Sequence, residues 1–404
     1  SRARSATPTG IDRVEMGYAR RLLSGSAPHC FAVRNAIGSI GLLPAAEAAK
    51  FIESLCTSWR DGALPNERQN LISLARQLRW AALFGTSALH AALRKSDAAV
   101  YLSVSQQQLH RAGPVARLKR VTGAVFVCFV HDLIPIERPD LTRPGQTRRH
   151  HRRIATIAAH ADAVIVNSAA TREALVRRLG LRPPIRVAPL GIDLPRLPFV
   201  QPIERPYFIC ISTIEARKNH RLLFELWRRL IADFGERAPR LLLIGRRGFG
   251  SDRIMSWLGE LRDLIVELND LPDMQMARLL RGARALLLPS FAEGFGLPVA
   301  EALSQGVPVL CSDLPALRES GYEVPEYLDP HDSCAWHRAI MAYLNDSSRR
   351  QAQLARLAGA RLPTWAEHFA IAEPFIADVV RSCRDVALGG QDRPAPRRLF
   401  GSLR

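Results

Sequence analysis

Three features of the chain predict an α/β fold with two parallel-sheet domains facing a cleft. Short apolar runs alternate with amphipathic helical stretches over most of the 404 residues. The runs are apolar on both faces, as strands must be when helices cover a sheet from both sides. A Pro-rich, aperiodic segment over residues 190–205 divides the chain into halves of similar size. Each half suits one domain of roughly 100–200 residues.

The elements follow in order. Residues 1–9 hold no apolar run, so the loop over 7–15 begins without a strand before it. The first strand of the N-terminal sheet is therefore expected to be missing. Strands are predicted at 98–104, 124–131, 163–167 and 185–188, and after the linker at 207–212, 241–244, 285–288 and 308–311. Each ends in a loop rich in Gly, Pro, Asn or Ser and then runs into a helical pattern. Residues 1–195 read as an N-terminal domain and 206–380 as a C-terminal one. Residues 384–404, rich in Gly, Pro and Arg, read as a disordered basic tail.

Composition excludes several classes. Hydrophobic residues make up 47% and charged residues 23%, which is globular rather than disordered. No stretch approaches the 18 or so apolar residues of a membrane span. Seven widely spaced cysteines without a C-x-x-C pair argue against a zinc site or a disulfide framework, and no metal is expected. With no leader segment legible, the chain reads as cytoplasmic. The net charge is +18, which suits a phosphorylated substrate, an anionic membrane surface or nucleic acid, or reflects an Arg-rich composition alone. Aromatics are only 7% and no nucleic-acid-binding module is present, so nucleic acid is not expected as a partner.

In open parallel sheets ligands bind beyond the carboxyl ends of the strands, so the site belongs in the loops that follow them. The loop after 285–288 reads PSFAEGFGLPVAEA. Gly294 and Gly296 allow close backbone approach, and Pro298 suits a first helical turn. The amides from Gly294 onward, through Phe295, Gly296 and Leu297, form a helix N-terminus able to bind an anion. Glu293 and Glu301 frame it, and carboxylates accept hydrogen bonds from vicinal hydroxyls well. A helix with acidic residues near its start would explain Glu301 alone. It would not explain Glu293 or the paired glycines.

The stretch EGFGLPVAEAL, with the following QGVPVLCSDLPALRE and the closing YLDP, resembles the E-x7-E signature of retaining group 1 glycosyltransferases of the GT-B fold. The likeness is close over roughly 207–330 and weaker over the N-terminal half. It implies two Rossmann-like domains and a nucleotide-sugar donor. Glu293 would meet the donor sugar hydroxyls, Gly294 to Leu297 the sugar and phosphate, and Glu301 the ribose. Arg217 and Lys218, in the loop after 207–212, would neutralise the leaving diphosphate. The family's usual Arg falls where this chain has Ser212, so either Arg217 substitutes or the cation comes from elsewhere. His131, closing the strand 124–131, would contact the donor sugar, with a loop-capping role as the alternative. Gly10 would pass near the diphosphate. Gly245, opening the basic turn GRRGFG, would lie near the nucleotide or simply make a tight turn.

HDLIPI and STIEARKN resemble bacterial mannosyltransferases of O-antigen and exopolysaccharide synthesis, which use GDP-mannose. Transfer from UDP-glucose or UDP-galactose is the alternative, and nothing in the residues selects the base. The implied partners are the nucleotide sugar and a glycan or polyprenyl-diphosphate-linked acceptor. The basic run of Arg143, Arg148, Arg149, His150, His151, Arg152 and Arg153 either attracts such an acceptor, or an anionic membrane at its inner face, or is a solvated helix face. An inactive scaffold of the same fold is the rival from another class. Ser212 favours that rival, and intact Glu293, Glu301 and Lys218 oppose it. A dehydrogenase lacks support because no dinucleotide fingerprint is present.

Overall fold

The computed structural model describes residues 2–34, 38–96, 98–180, 183–195, 197, 205–256, 261 and 264–388. All eight predicted strands are present, and both sheets are parallel. In chain order the strands are β1 (Ala32–Arg34), β2 (Ile40–Leu42), β3 (Val100–Ser103), β4 (Val125–Val130), β5 (Ala163–Val166), β6 (Ile185–Val187), β7 (Tyr207–Ile211), β8 (Arg240–Ile244), β9 (Ile265–Leu268), β10 (Leu286–Leu288), β11 (Val309–Ser312) and β12 (Glu326–Leu328). The N-terminal sheet has the order β3-β4-β5-β6 and the C-terminal sheet β12-β11-β10-β7-β8-β9. β1 and β2 form a separate antiparallel hairpin.

Local sequence accounts for the central strands. β4 (VFVCFV) and β5 (AVIV) are buried at every residue, and so are β7, β10 and β11. Strands sandwiched by helices on both faces have no solvent side and need no polar alternation. Two apolar layers flank the C-terminal sheet, one centred on Phe208, Trp227 and Leu243, the other on Ile209, Leu288 and Val299. Before β3 the described chain has no strand at the start of the helix Gly10–Ser24. A turn at Arg2–Arg4 leads instead to a capping box between Thr9 and Asp12. β3 stands at the edge of its sheet and is only half-buried.

The order of the C-terminal sheet fixes where chemistry can occur. From β7 the chain runs outward through β8 and β9, then returns to place β10 on the other side of β7. At such a reversal the loops after the two neighbouring strands diverge and leave a crevice. Here those loops carry Arg217 and Lys218 after β7, and Glu293 after β10.

Two boundaries differ from the sequence reading. The final helix, Trp365–Leu388, starts inside the range assigned to the C-terminal domain but packs on the N-terminal sheet. Phe369, Ala372, Phe375 and Val379 join one core with Val127, Phe129 and Ile165. The apolar face of that helix has its counterpart on β4 and β5, which outweighs proximity along the chain. The same helix carries regular structure through residues 384–388, at the start of the expected disordered tail, and the rest of that tail lies outside the described residues. Where this helix begins, it crosses the first interdomain connection. A Cβ on Gly191 would fall 2.2 Å from the Trp365 amide nitrogen, so only glycine lets the two backbones pass. His368 Nδ1–H donates to Pro189 O at 2.9 Å, and its Nε2 accepts from the Tyr18 hydroxyl at 2.8 Å. Among the described residues no helix is long and apolar enough to cross a membrane.

Candidate functional site

Glu293, Lys218 and Arg217 meet at the reversal between β7 and β10. Lys218 Nζ donates to Glu293 Oε1 at 2.5 Å, and Arg217 Nη1 to Glu293 Oε2 at 3.2 Å. Arg217 also donates to Ala292 O at 2.6 Å and to Glu215 Oε1 at 2.8 Å. Lys218 is 7% exposed. Burial alone would raise the Glu293 carboxyl, but Lys218 and Arg217 overcome it and hold it at about 2. Burial pushes the Lys218 ammonium below its ordinary value against the attraction of Glu293. Glu293 is thus a carboxylate throughout the physiological range and suits accepting hydrogen bonds, not giving a proton.

The glycines have separate reasons. A Cβ on Gly294 would lie 2.5 Å from His131 O, so this loop packs its backbone directly on the end of β4. Gly294 O accepts from Ser168 Oγ at 2.8 Å and Thr171 Oγ1 at 3.3 Å, both on the N-terminal domain. Gly296 has φ of +93° at the start of the helix Leu297–Ser304, with Pro298 in its first turn. Gly245 makes its close approach within the C-terminal domain, where a Cβ would be 1.9 Å from Ser212 O. The next residue, Arg246, reaches across to Thr7 Oγ1 at 2.8 Å.

His131 is 5% exposed, and its Nε2–H donates to Val104 O at 2.8 Å. Burial lowers its tendency to hold a second proton, which leaves Nδ1 as the acceptor of a neutral ring. Gly10 opens the helix Gly10–Ser24 opposite Leu297, whose Cδ1 would be 3.4 Å from an added Cβ. The Phe295 side chain does not face a ligand crevice. It is 4% exposed and packs into the N-terminal core beside Val14, Tyr18 and Phe129. In place of the family's Arg, Ser212 places its Oγ 3.2 Å from His220 Nε2.

Glu301 is the fifth residue of its helix, past the first turn, and 3% exposed. Its neighbour is Arg13 of the N-terminal domain, whose Nε lies 3.2 Å from Glu301 Oε1. The other end of that guanidinium grips Asp273 with two bonds of 3.0 and 2.7 Å. Burial raises the Glu301 carboxyl, and Arg13 opposes that rise. Sequence reading missed Arg13 and Asp273, which lie 260 positions apart. It also missed Glu319, whose carboxylate caps the helix Ala169–Leu179 through the amides of Ala169 and Ala170 at 2.5 and 2.9 Å. Only the position of Arg13, three residues after Gly10, hinted at a role.

The structure thus gathers Lys218, Arg217 and Glu293 beside the glycine loop that packs on the end of β4, and holds Glu301, farther along the following helix, against Arg13. Residues 205–346 match the family described as glycosyl transferases group 1, and residues 48–196 match glycosyltransferase family 4. Over 175 residues the chain is 37% identical to O-antigen chain mannosyltransferase B of Escherichia coli, covering 43% of this chain and 46% of that protein. Over 233 residues it is 30% identical to the serotype-specific mannosyltransferase WbdA of Escherichia coli, covering 50% of this chain and 28% of that one. The matches therefore span less than half the length of either relative. Among solved structures, sucrose-phosphate synthase from Thermosynechococcus elongatus superposes with a TM-score of 0.57 at 17% identity, covering 93% of this chain and 92% of that one. HepE of Anabaena, in complex with UDP-glucose, superposes at 0.56 and 17%, covering 87% and 98%. At these identities the structures establish the fold, two facing parallel-sheet domains of the GT-B type. The chain belongs to the group 1 glycosyltransferases, with a family 4 domain in its N-terminal half and a group 1 domain in its C-terminal half.

Proposed function

We propose that the chain transfers a hexose, with mannose favoured, from a nucleotide-diphosphate sugar to a glycan or polyprenyl-diphosphate-linked acceptor in surface polysaccharide synthesis. The convergence of Glu293, Lys218 and Arg217 at the sheet reversal carries this reading. The names of the mannosyltransferase relatives favour mannose, and GDP-mannose as donor rests on the resemblance carried by HDLIPI and STIEARKN.

In this reading the diphosphate lies over the amides from Gly294 to Leu297 at the N-terminus of the helix Leu297–Ser304. Lys218 and Arg217 exchange part of their hold on Glu293 for the phosphate oxygens as negative charge grows on the leaving group. Glu293, relieved of one cation, accepts from the sugar hydroxyls. Glu301 accepts from the ribose. The acceptor hydroxyl attacks the anomeric carbon on the face the phosphate leaves, and a leaving-phosphate oxygen takes its proton, so configuration is retained. Glu293 is not the acid, because it stays ionised far below neutral pH. Charge neutralisation rests with Lys218, Arg217 and the helix amides, and no metal is needed in the scheme. The work is placed in the cytoplasm, at the inner membrane face when the acceptor is lipid-linked.

Thermal-shift measurements with GDP-mannose, GDP, UDP-glucose and UDP test the reading. Stabilisation by the guanosine pair alone supports GDP-mannose. Stabilisation by the uridine pair moves the donor to UDP-glucose or UDP-galactose. Stabilisation by none of the four, or full transfer activity in Glu293→Ala and Lys218→Ala, overturns it.

A further inference from the structure

We propose that a cavity lined by arginines on the N-terminal domain is a binding site for a phosphate ester. Resting on the transfer reading, it would hold the diphosphate of the acceptor. Gly145, Arg148, Arg149 and Arg152 recur at the i, i+3, i+4, i+7 spacing of one helical face at the start of the helix Gln146–His160. Together with His110 and Arg111, from the segment after β3, they line a cavity of about 340 Å³.

Electrostatics is unfavourable here as the chain stands. Arg111, Arg148, Arg149 and Arg152 are exposed and have no carboxylate partner among the described residues. Exposed arginines elsewhere, such as Arg76, Arg79 and Arg120, likewise have no carboxylate partner among the described residues, so what marks these four is their convergence on one cavity. Arg148 and Arg152 repel each other at i, i+4. All three helix arginines sit toward the positive end of the helix dipole, and no acidic residue occupies the first turn. A bound polyanion relieves both repulsions at once. Guanidinium forks match phosphate oxygens in pairs.

The opposite face of the same helix ties the cavity to the cleft. His150 places Nε2 3.2 Å from Asp132 O, one residue beyond His131, while Ile154 and Ile157 enter the core. Upstream, Arg143 lies over the Phe249 ring at 5.7 Å, touching the loop after β8. The cavity is thus built from the segments that follow β3 and β4, at the same sheet end as His131. No Phe, Tyr or Trp lines it.

The full chain, with GDP or UDP present, is titrated with inorganic pyrophosphate and with farnesyl diphosphate, and floated with vesicles of phosphatidylglycerol in phosphatidylcholine. Each probe is repeated with the triple variant Arg148→Gln/Arg149→Gln/Arg152→Gln. The variant is expected to weaken binding by roughly tenfold or more. It should also unfold at the wild-type temperature or above, because it removes repulsion; a structural role would lower that temperature. A loss confined to the soluble diphosphates assigns a free diphosphate, and a loss confined to vesicles assigns a lipid headgroup. Equal binding of all probes by both proteins, or binding of none by the wild type, overturns the proposal. Nucleotide stabilisation is read separately. Its absence would sink the transfer reading while leaving the phosphate site to stand or fall on these titrations.

Discussion

Replacing Arg13 with Met tests whether the two domains are held by a buried ionic contact. The substitution keeps the apolar stem and removes the guanidinium. Arg13 makes bonds of 3.0 and 2.7 Å to Asp273 and an ion pair of 3.2 Å to Glu301. The three side chains are only 12%, 11% and 5% exposed. Loss of Arg13 leaves two desolvated carboxylates facing each other, and removing one partner from a buried ionic group costs about 3–5 kcal/mol. The loss depends on pH, with a definite sign. Burial already raises the Glu301 carboxyl, and Arg13 is what opposes it. Without Arg13 that carboxyl rises further. A group raised on folding gives stability that is full below its unfolded value and lost as pH rises through its folded value. The deficit of Arg13→Met should therefore be smaller near about pH 5 than near about pH 8. Urea unfolding followed by tryptophan fluorescence at both pH values measures it. Adding Glu301→Gln should restore at least about 1 kcal/mol at the higher pH and flatten the difference. A deficit under about 1 kcal/mol at pH 8, or one equal at both pH values, refutes the reasoning.

Three further outcomes are expected. Gly294→Ala drives a methyl against His131 O and should raise donor KM several-fold while lowering stability by about 1–3 kcal/mol; unchanged values would show that the two backbones do not meet. Phe295→Ala empties a position in the N-terminal core and should lower stability by about 3–5 kcal/mol, read by denaturant unfolding. The advantage of wild type over Glu293→Gln should be complete above about pH 4.5 and disappear as pH falls toward 2, because the folded carboxyl is held at about 2. An advantage that stays constant between about pH 4.5 and 2 in an acid titration would show that Glu293 is not ion-paired.

Elements covered on both faces were legible because their residues have no reason to be polar. β4, β5, β7 and β10 announce themselves as apolar runs. The unpredicted strands lie where that signal fades. β9 and β12 close the two edges of their sheet and alternate with Glu267 and Glu326, each paired to an arginine. β1 and β2 form a hairpin with one largely exposed strand. Within the site, Glu293 and the paired glycines were legible as a local pattern. Arg13 with Asp273, and Glu319 at the start of the helix Ala169–Leu179, were not, because domain docking sets these contacts and no local period reports it. Phe295 looked like part of a ligand loop because its neighbours in sequence are. Its ring instead anchors that loop in the other domain.

The returning helix Trp365–Leu388 has a consequence for the order in which the protein is completed. Synthesis delivers residues 98–188 early, yet the layer that covers β4 and β5 includes Phe369, Phe375 and Val379. The C-terminal sheet, by contrast, draws its strands from the contiguous stretch 207–328. The domain begun first is thus the one sealed last, and on the ribosome it waits with an apolar face uncovered. A chain cut before residue 365 would keep every described strand and the charged groups Arg217, Lys218 and Glu293, and still leave the apolar face of its first sheet without this cover.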